Sequence, residues 1–284
     1  MVYLSVFTFP DGDMEFDFFS NEKRTCFDSI YPFKILSRQG FERIDFDTIT
    51  ILYGGNGSGK STALNVIAEK TGISRDSIYN KSSFYPDYVN MCTLQIEEDI
   101  PQNSRIITSD DVFDYMLNVR NLNEGIDQRR EKLFEEYLDA KYSHFQIKSM
   151  ADYDQLKRVN SARSKTQSKF VRNELMANVR EYSNGESAFR YFIEKIGENG
   201  LYILDEPENS LSPKRQMELT EFIEDSARFS GCQFIISTHS PFMLALRGAK
   251  IYDLDESPVG VKRWTELENV REYYEFFKKY ENEF

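Results

Sequence analysis

The sequence reads Gly54-Gly55-Asn56-Gly57-Ser58-Gly59-Lys60-Ser61-Thr62 directly after the apolar run Ile49-Thr50-Ile51-Leu52-Tyr53. It matches every fixed position of the phosphate-binding pattern G-x-x-x-x-G-K-[ST]. Glycines here let consecutive backbone N–H groups turn toward one anion, while Lys60 reaches the β- and γ-phosphates and Ser61 offers a hydroxyl to Mg²⁺. A β-branched strand precedes the pattern and a helical stretch, residues 63–68, follows it. We call residues 54–62 the phosphate loop and predict that it binds a nucleoside triphosphate.

A second motif is Leu201-Tyr202-Ile203-Leu204-Asp205-Glu206-Pro207. Four apolar residues before two acids predict a buried strand whose carboxyl end carries carboxylates, and ligands bind at that end of open α/β sheets. Asp205 is predicted to hold Mg²⁺, directly or through water, and Glu206 to polarise the attacking water as general base. Because an acidic pair can also simply end a strand, this interpretation depends on the phosphate loop that accompanies it.

Two further motifs make the whole order resemble the ABC-type ATPase family. One is Tyr182-Ser183-Asn184-Gly185-Glu186 before the acidic strand, and the other is Ile235-Ile236-Ser237-Thr238-His239-Ser240-Pro241 after it. The family signature, L-S-G-G-[QE], is matched at Ser183, Gly185 and Glu186, whereas Tyr182 and Asn184 depart from it. The resemblance implies that Ser183 and Gly185 reach across a dimer interface to ATP on the other subunit. A Ser-Asn-Gly turn before a helix is the alternative interpretation.

The resemblance also assigns His239, which would be the switch histidine that contacts the γ-phosphate. The chain has 2 histidines, so one at this position is informative, although a lone histidine is more often structural. Ser212 replaces the aspartate of the family's D-loop, which puts aspartate-mediated communication between the two sites in doubt. The motifs D-E-P-E, L-S-P and S-T-H-S-P resemble the chromosome-maintenance, recombination-repair and phage-defence branch, and most closely its short stand-alone bacterial predicted ATPases.

The predicted site residues form three groups. Nucleotide contacts are expected from Gly54, Asn56, Gly57, Ser58, Gly59, Lys60, Ser61, Thr62, Ser183, Gly185 and Glu186. The expected catalytic residues are Glu206 and His239, and the expected metal ligands are Ser61 and Asp205. The implied cofactors are ATP and Mg²⁺.

Two roles of the family have no secure residue in this sequence. The glutamine that senses Mg²⁺ and the γ-phosphate would be Gln95 or Gln102, or would be replaced by Ser109 or Asp110. The aromatic residue that stacks on adenine would be Tyr31, Phe33 or Phe41, although a core position is favoured for each.

Composition indicates a cytoplasmic enzyme. The 284 residues suffice for one large α/β domain or for one domain with an inserted lobe. The 3 cysteines form no C-x-x-C pair and are expected to be reduced thiols outside any metal site. No apolar run approaches the roughly 20 residues needed to cross a bilayer, and the first ten residues lack the basic segment of a signal peptide. We therefore expect no membrane association.

Charge is distributed unevenly along the chain. The formal net charge of −12 argues against a protein that coats nucleic acid indiscriminately. From Lys157 to Arg180, however, there are seven basic residues and one acid, Glu174. This run suits a solvated helix face, a phosphate contact at a dimer interface or a docking patch for RNA or DNA, and these alternatives stay open.

The motifs together predict an α/β fold, the P-loop ATPase head of the ABC type, with N-terminal antiparallel strands and an inserted helical lobe. We expect strands and the phosphate-loop half in residues 1–110, the helical lobe in 111–182, and the remaining motifs in 183–284, all within one ATPase domain. Residues 2–7 and 33–36 are predicted strands. Residues 267–284 are predicted to form an amphipathic helix whose aromatic side chains pack on the core, and a partner-binding role for them is the alternative.

The favoured function is an ATP-dependent dimeric switch. Closure around two Mg-ATP molecules and hydrolysis would control a partner effector, such as a nuclease, a reverse transcriptase or a toxin, in phage defence or DNA repair. One alternative is the energising subunit of a membrane transporter, against which stand the degenerate signature and the missing D-loop aspartate. A nuclease is a second alternative, but no H-N-H cluster is present and His144 is the only other histidine.

Overall fold

The structure, a computed structural model, describes residues 1–143, 152–175 and 184–283. The chain divides into two compact units, of which the first joins Met1–Phe113 to Asn184–Phe284 and the second is Asp114–Ser183. The predicted division at 110/111 and 182/183 stays a proposal.

The first unit contains two sheets. The strands, in chain order, are β1 (Leu4–Thr8), β2 (Arg43–Asp45), β3 (Ile49–Tyr53), β4 (Thr93–Ile96), β5 (Arg105–Thr108), β6 (Leu201–Asp205), β7 (Gln233–Ser237), β8 (Lys250–Asp253) and β9 (Gly260–Lys262). The larger sheet has the order β5-β6-β7-β3-β8-β9, parallel throughout except for the antiparallel edge strand β9. Every residue of β3 and of β7 is buried, as expected for central strands of a parallel sheet covered on both faces.

The smaller sheet confirms the predicted antiparallel strands of the N-terminal region. Its order is β2-β1-β4, and both pairs are antiparallel. The fully buried amide of Gln233 connects this sheet to the larger one. Its Oε1 accepts hydrogen bonds from the N–H groups of Tyr3 and Leu4 at 2.8 and 2.9 Å, and its Nε2 donates to the carbonyl of Leu4 at 2.8 Å.

The strand predicted at residues 33–36 is wrong, because this segment is a turn that leads into a short 3₁₀ helix, Ser37–Gln39. Lys34 has a φ of 62°, which a strand does not allow. The carboxylate of Glu15 accepts hydrogen bonds from the Lys34 N–H at 3.0 Å and from the Ser37 hydroxyl at 2.9 Å. A buried acid distant in the sequence thus takes backbone and side-chain donors of this segment.

Helices cover the larger sheet and form the second unit. They are α1 (Gly12–Asn21), α2 (Lys60–Thr71), α3 (Tyr85–Met91), α4 (Ser109–Tyr142), α5 (Tyr153–Ser164), α6 (Gln167–Glu174), α7 (Asn184–Lys195), α8 (Pro213–Phe229), α9 (Pro241–Leu244) and α10 (Glu268–Lys279). Most of α4 belongs to the second unit with α5 and α6. A small core holds these three helices together and consists of Leu133, Tyr137, Ala162, Phe170 and Val171.

The C-terminal helix is present, but the prediction that its aromatic side chains pack on the core is wrong. Tyr273, Tyr274, Phe276 and Phe277 are 50 to 60% exposed. Within α10 only Val270, near the first turn, is buried. An amphipathic pattern shows which face of a helix is apolar, but it does not show whether another surface lies against that face.

Candidate functional site

The carboxyl ends of β3, β6 and β7 lie side by side in the larger sheet. Leu52 of β3 pairs with Ser237 of β7, which in turn pairs with Asp205 of β6. The phosphate loop, the acidic pair and the segment around His239 each begin where one of these strands ends. The topology therefore brings three of the four predicted motifs to one edge of the sheet, where ligands of open α/β sheets bind.

Glycine is required at two positions of the phosphate loop. Gly59 has a φ of 88°, and a Cβ atom there would lie 2.9 Å from Cδ2 of Leu36. A Cβ atom on Gly54 would lie 2.5 Å from Oγ of Ser58. Real Cβ atoms do not approach other atoms so closely, so the loop keeps its shape only with hydrogen at these positions.

Lys60 begins α2 and is buried, with 4% of its side chain exposed. Its Nζ donates hydrogen bonds to the carbonyls of Gly54 and Gly55 at 2.7 and 2.9 Å. It also lies 3.8 Å from Oε1 of Glu206. A buried ammonium needs such partners, and at this place it can also meet the β/γ end of a triphosphate.

The other loop residues suit a phosphate ligand. The buried hydroxyl of Ser58 has no hydrogen-bond partner among the described residues, and no atom lies within 4 Å of a Cβ position on Gly57. Asn56 and Ser61 are exposed, whereas Thr62 is buried and its hydroxyl accepts a hydrogen bond from Tyr31 at 3.3 Å. The loop thus combines an orphaned hydroxyl, open space at Gly57 and the positive end of α2.

Ser61 and Asp205, the predicted metal ligands, are in contact. Oγ of Ser61 donates to Oδ1 of Asp205 at 3.1 Å, and the Ser237 hydroxyl donates to the same oxygen. Burial raises the pKa of Asp205, and the hydrogen bonds from Ser237 and Ser61 oppose that rise. Within the described part of the chain no group of three or more His, Cys, Asp or Glu is placed to hold a metal. The hydroxyl of Ser61 and the carboxylate of Asp205 fit Mg²⁺, which takes one or two protein oxygens and completes its shell with phosphates and water.

Glu206 adopts a left-handed backbone conformation, with φ 49° and ψ 55°. A non-glycine residue in this region costs about 1–3 kcal/mol and is found where surrounding contacts enforce it. The Glu206 N–H donates to both the carbonyl and the hydroxyl of Ser237 at 3.1 Å. The carboxylate is oriented by Asn209, whose Nδ2 donates to Oε2 at 3.0 Å. It therefore projects from the sheet edge in a fixed direction.

His239 lies beside this carboxylate. Its Nδ1 is 3.8 Å from Oε1 of Glu206, and its side chain is 40% exposed. The carbonyl of His239 accepts a hydrogen bond from Nδ2 of Asn269, in the first turn of α10, at 2.8 Å. Lys60, Glu206 and His239 thus form one cluster, in which the carboxylate lies between an ammonium and an imidazole.

Glu208 is a residue that the sequence reasoning missed. It is 7% exposed, and its Oε1 accepts hydrogen bonds from the Thr238 hydroxyl at 2.6 Å, the His239 N–H at 2.9 Å and the Ser240 N–H at 3.2 Å. One carboxylate oxygen therefore holds the backbone of the segment that carries His239. The second acid of D-E-P-E was the available signal, but nothing in the sequence indicates that it is buried.

The predicted signature is only partly described. Ser183 lies outside the described residues, whereas Gly185 and Glu186 lie in the first turn of α7. A Cβ atom on Gly185 would lie 3.5 Å from the Ser210 carbonyl. Across the described ranges, no hydrogen bond or ion pair joins Gly185 or Glu186 to the phosphate loop of the same chain. Their role at the nucleotide of a second subunit stays a prediction.

Two roles have no assigned residue, the sensor of Mg²⁺ and the γ-phosphate and the aromatic residue that stacks on adenine, and their candidates lie in different parts of the structure. Gln95 lies on β4 of the smaller sheet, and both Gln95 and Gln102 are exposed. Thr108, the last residue of β5, pairs with Asp205, so Ser109 follows directly at the edge that carries the acidic pair. Phe33 and Phe41 are core residues with 2 and 1% exposure. This leaves Tyr31, beside Thr62, as the aromatic candidate nearest the phosphate loop.

Solved structures with a similar fold include two Smc heads and a transporter cassette. The Smc head domain with an extended coiled coil bound to the C-terminal domain of ScpA, from Pyrococcus furiosus, has 14% identity and a TM-score of 0.44 over 97% of this chain and 100% of that chain. The SMC head domain from Thermotoga maritima has 13% identity and a TM-score of 0.41 over 92 and 98%. A nucleotide-free ATP-binding cassette from an ABC transporter has 14% identity and a TM-score of 0.42 over 96 and 96%.

A protein-family model also matches the chain, over residues 86–245. The matched range contains the acidic pair and His239, and it begins after the phosphate loop. Among curated proteins, no significant match was found. No helix in the described ranges is long and apolar enough to span a membrane. Because the family match covers more than half of the 284 residues, the chain belongs to the AAA_21 family, described as "AAA domain, putative AbiEii toxin, Type IV TA system", and is a P-loop ATPase.

Proposed function

We propose that this ATPase is a dimeric switch, in which two chains close around two Mg-ATP molecules and hydrolysis reopens them. The observation that carries the proposal is the division of the predicted site. Lys60, Glu206 and His239 are assembled at one sheet edge within a single chain, whereas Gly185 and Glu186, in the first turn of α7, form no hydrogen bond or ion pair with the phosphate loop across the described ranges. A site that needs both halves is completed when a second chain supplies α7.

Binding of ATP begins at the phosphate loop. The loop glycines and the amino end of α2 would surround the β- and γ-phosphates, and Lys60 would add its charge from its place beside the Gly54 and Gly55 carbonyls. Ser61 and Asp205 would hold Mg²⁺, which would neutralise phosphate charge.

Hydrolysis would then depend on Glu206 and His239. The carboxylate of Glu206, held by Asn209, would accept a proton from the attacking water as its oxygen bonds to the γ-phosphorus. The bond between that phosphorus and the β–γ bridging oxygen breaks, and ADP leaves. His239, anchored through its backbone to Glu208 and Asn269, would donate a hydrogen bond to the γ-phosphate. The anchored backbone fixes the imidazole relative to Glu206 and so limits the search for a productive arrangement.

The switch would act on a partner effector, for which we propose a nuclease, a reverse transcriptase or a toxin in phage defence or DNA repair. The family description names a toxin of a toxin–antitoxin system, which supports this class of role. The run from Lys157 to Arg180 supports a contact with nucleic acid. Lys157 and Lys169 are exposed on α5 and α6, but Arg158 is paired with Glu136, and Arg180 lies outside the described residues.

The proposal is tested by trapping the closed dimer with Glu206→Gln. The amide keeps the size and hydrogen bonds of the side chain but cannot accept the proton, so phosphate release should fall by about 100-fold or more. ATP binding should persist, and light scattering should show a dimer with ATP and a monomer with ADP. Lys60→Ala, which lacks the phosphate contact, serves as the control that stays monomeric. A monomeric Glu206→Gln protein saturated with ATP would contradict the switch.

A further inference from the structure

Asp255, just beyond the end of β8, is bonded to the phosphate loop. Its Oδ1 and Oδ2 accept from the Gly55 N–H at 2.9 and 2.8 Å. The N–H of Asp255 in turn donates to Oδ1 of buried Asp253 at 3.0 Å. Oδ2 of Asp253 lies 2.8 Å from Nζ of Lys262 on β9. Although Asp255 is exposed, its backbone is therefore fixed to the sheet edge by a buried, charge-paired neighbour.

The peptide group between Gly54 and Gly55 joins Asp255 to Lys60. Its N–H donates to the Asp255 carboxylate, and its carbonyl accepts from Nζ of Lys60 at 2.7 Å. The peptide dipole thus points its positive end at an anion and its negative end at a cation. Both hydrogen bonds involve an ionised group and are stronger than neutral ones. If this peptide rotated, the Gly54 carbonyl would turn away from the ammonium.

Two glycines flank this peptide, and the next carbonyl, that of Gly55, is held by Nζ of Lys60 at 2.9 Å and by the Ser58 N–H at 3.3 Å. Gly54 and Gly55 have no side chain that would limit rotation, and the loop at this point is exposed from Gly55 to Gly57. A Cβ atom on Gly54 would lie 2.5 Å from Oγ of Ser58 and 3.2 Å from Oδ1 of Asp255, so both side chains lie against this glycine. The restraint that the glycines cannot provide comes from a residue 200 positions away.

We propose that Asp255 is a positioning residue of the phosphate loop, which holds the Gly54–Gly55 peptide so that Lys60 is directed at the phosphates, and thereby sets the affinity for ATP. A carboxylate near a triphosphate also repels it, and the two effects predict opposite signs. Positioning predicts that removal of the side chain weakens ATP binding. Repulsion predicts that removal of the charge strengthens it. The hydrogen bonds to Gly55 and the link to Lys60 favour positioning.

The experiment measures ATP binding and turnover in the full chain with Asp255→Ala and Asp255→Asn. We expect Asp255→Ala to raise both the Kd for a non-hydrolysable ATP analogue and the KM for ATP by about 5- to 10-fold, with kcat changed less than about threefold because Glu206 and His239 are untouched. Asp255→Asn keeps an acceptor for the Gly55 N–H and should stay within about threefold of the parent Kd. Asp255→Ser, whose hydroxyl is too short to reach Gly55, should behave like Asp255→Ala.

Glu256→Ala is the matched control, since Glu256 is the adjacent exposed acid and is bonded to Lys262 and not to the loop. It should leave the Kd unchanged, which separates local positioning from a general change of charge. An unchanged Kd in Asp255→Ala and Asp255→Ser, or tighter binding in both Asp255→Ala and Asp255→Asn, would overturn the inference. The Kd for the ATP analogue describes one chain and one nucleotide, so it would be unaffected if the dimeric switch failed, and the two failures remain distinguishable.

Discussion

Single carboxylates hold the segments on which the site depends. Glu208 receives three donors from residues 238–240, and Asp255 receives the Gly55 N–H. Buried or charge-assisted hydrogen bonds of this kind are costly to lose, because the donors that remain are left without partners. The position of His239 therefore depends on Glu208, and the position of the phosphate loop depends on Asp255.

Glu208→Ala tests this dependence. The variant leaves the Thr238 hydroxyl and the His239 N–H without their acceptor, whereas the Ser240 N–H keeps the Thr238 hydroxyl oxygen at 3.0 Å. The loss should cost about 1–3 kcal/mol of stability and let the His239 segment move. We expect kcat to fall by about 10- to 100-fold, whereas the KM for ATP changes little because the phosphate loop is not bonded to Glu208. Glu208→Gln retains an acceptor oxygen and should restore most of the turnover. If the folded alanine variant had the parent kcat, Glu208 would have no positioning role.

The sequence alone did not show that Glu208 and Asp255 hold the backbone of the site. The Gly55–Asp255 bond joins residues 200 positions apart, and the bonds from Glu208 reach a segment 30 or more positions away. Local patterns do not encode such pairs. The phosphate loop and the acidic pair, in contrast, each directly follow an apolar run, and His239 follows another after Ser237 and Thr238. A parallel sheet places the ends of those runs together. Motifs at strand ends were therefore predictable, and the acids that support them were not.

At the scale of the element, long-range contacts also decided where secondary structure was mispredicted. Strands β3, β6 and β7 are short, largely apolar and largely buried runs, and their short length favours a strand over a helix. Residues 33–36 are just as apolar in pattern, but Glu15 of α1 holds them in a turn. In α10 the pattern predicted the helix correctly, but not the exposure of its aromatic residues. A sequence pattern therefore predicts an element best when contacts with distant residues favour the same structure as the pattern does.

Glu15 makes the stability of this turn depend on pH. Burial raises the pKa of Glu15, and hydrogen bonds from Ser37 and Lys34 offset only part of that rise. The pKa of Glu15 in the folded protein is therefore above the unfolded value of about 4.3. The stabilisation that protonated Glu15 contributes is full below the unfolded pKa and is lost as pH rises through the folded pKa. The glutamine of Glu15→Gln cannot ionise, so the free energy of unfolding of this variant should increase relative to that of the parent as pH rises from about 4 to 7.

Urea denaturation of parent and variant across that pH range measures the effect. Asp17→Asn is the matched control for the loss of one acid from the same helix, since Asp17 is exposed. The difference between Glu15→Gln and the parent should grow with pH, and a constant or shrinking difference would show that the carboxylate is not destabilised by its surroundings. The turn packs on the phosphate loop through Leu36 and Gly59, so the same pH dependence should reach ATP binding.

At the scale of the whole molecule, the proposal rests on a site shared between two chains. Lys60→Ala lacks the phosphate contact but retains an intact signature, and Ser183→Arg retains an intact phosphate loop. Each variant alone should be inactive, because every composite site in its homodimer lacks one half. In a mixed dimer, one site combines the two intact halves. If sites fire independently, equimolar mixing should restore up to about a quarter of the parent activity, given random pairing and one good site in each heterodimer.

If both sites must fire together, mixing restores nothing, and light scattering must then show that heterodimers formed. The decisive control is Ser183→Arg by itself. Should that variant hydrolyse ATP at the parent rate, with the mass of a monomer in the presence of ATP, the segment before α7 would be only a turn and each chain would carry a complete site. Activity that appears only on mixing has no explanation within one chain, because each variant lacks a half that the other supplies. Such a result would place the α7 end of one subunit against the phosphate loop of its partner.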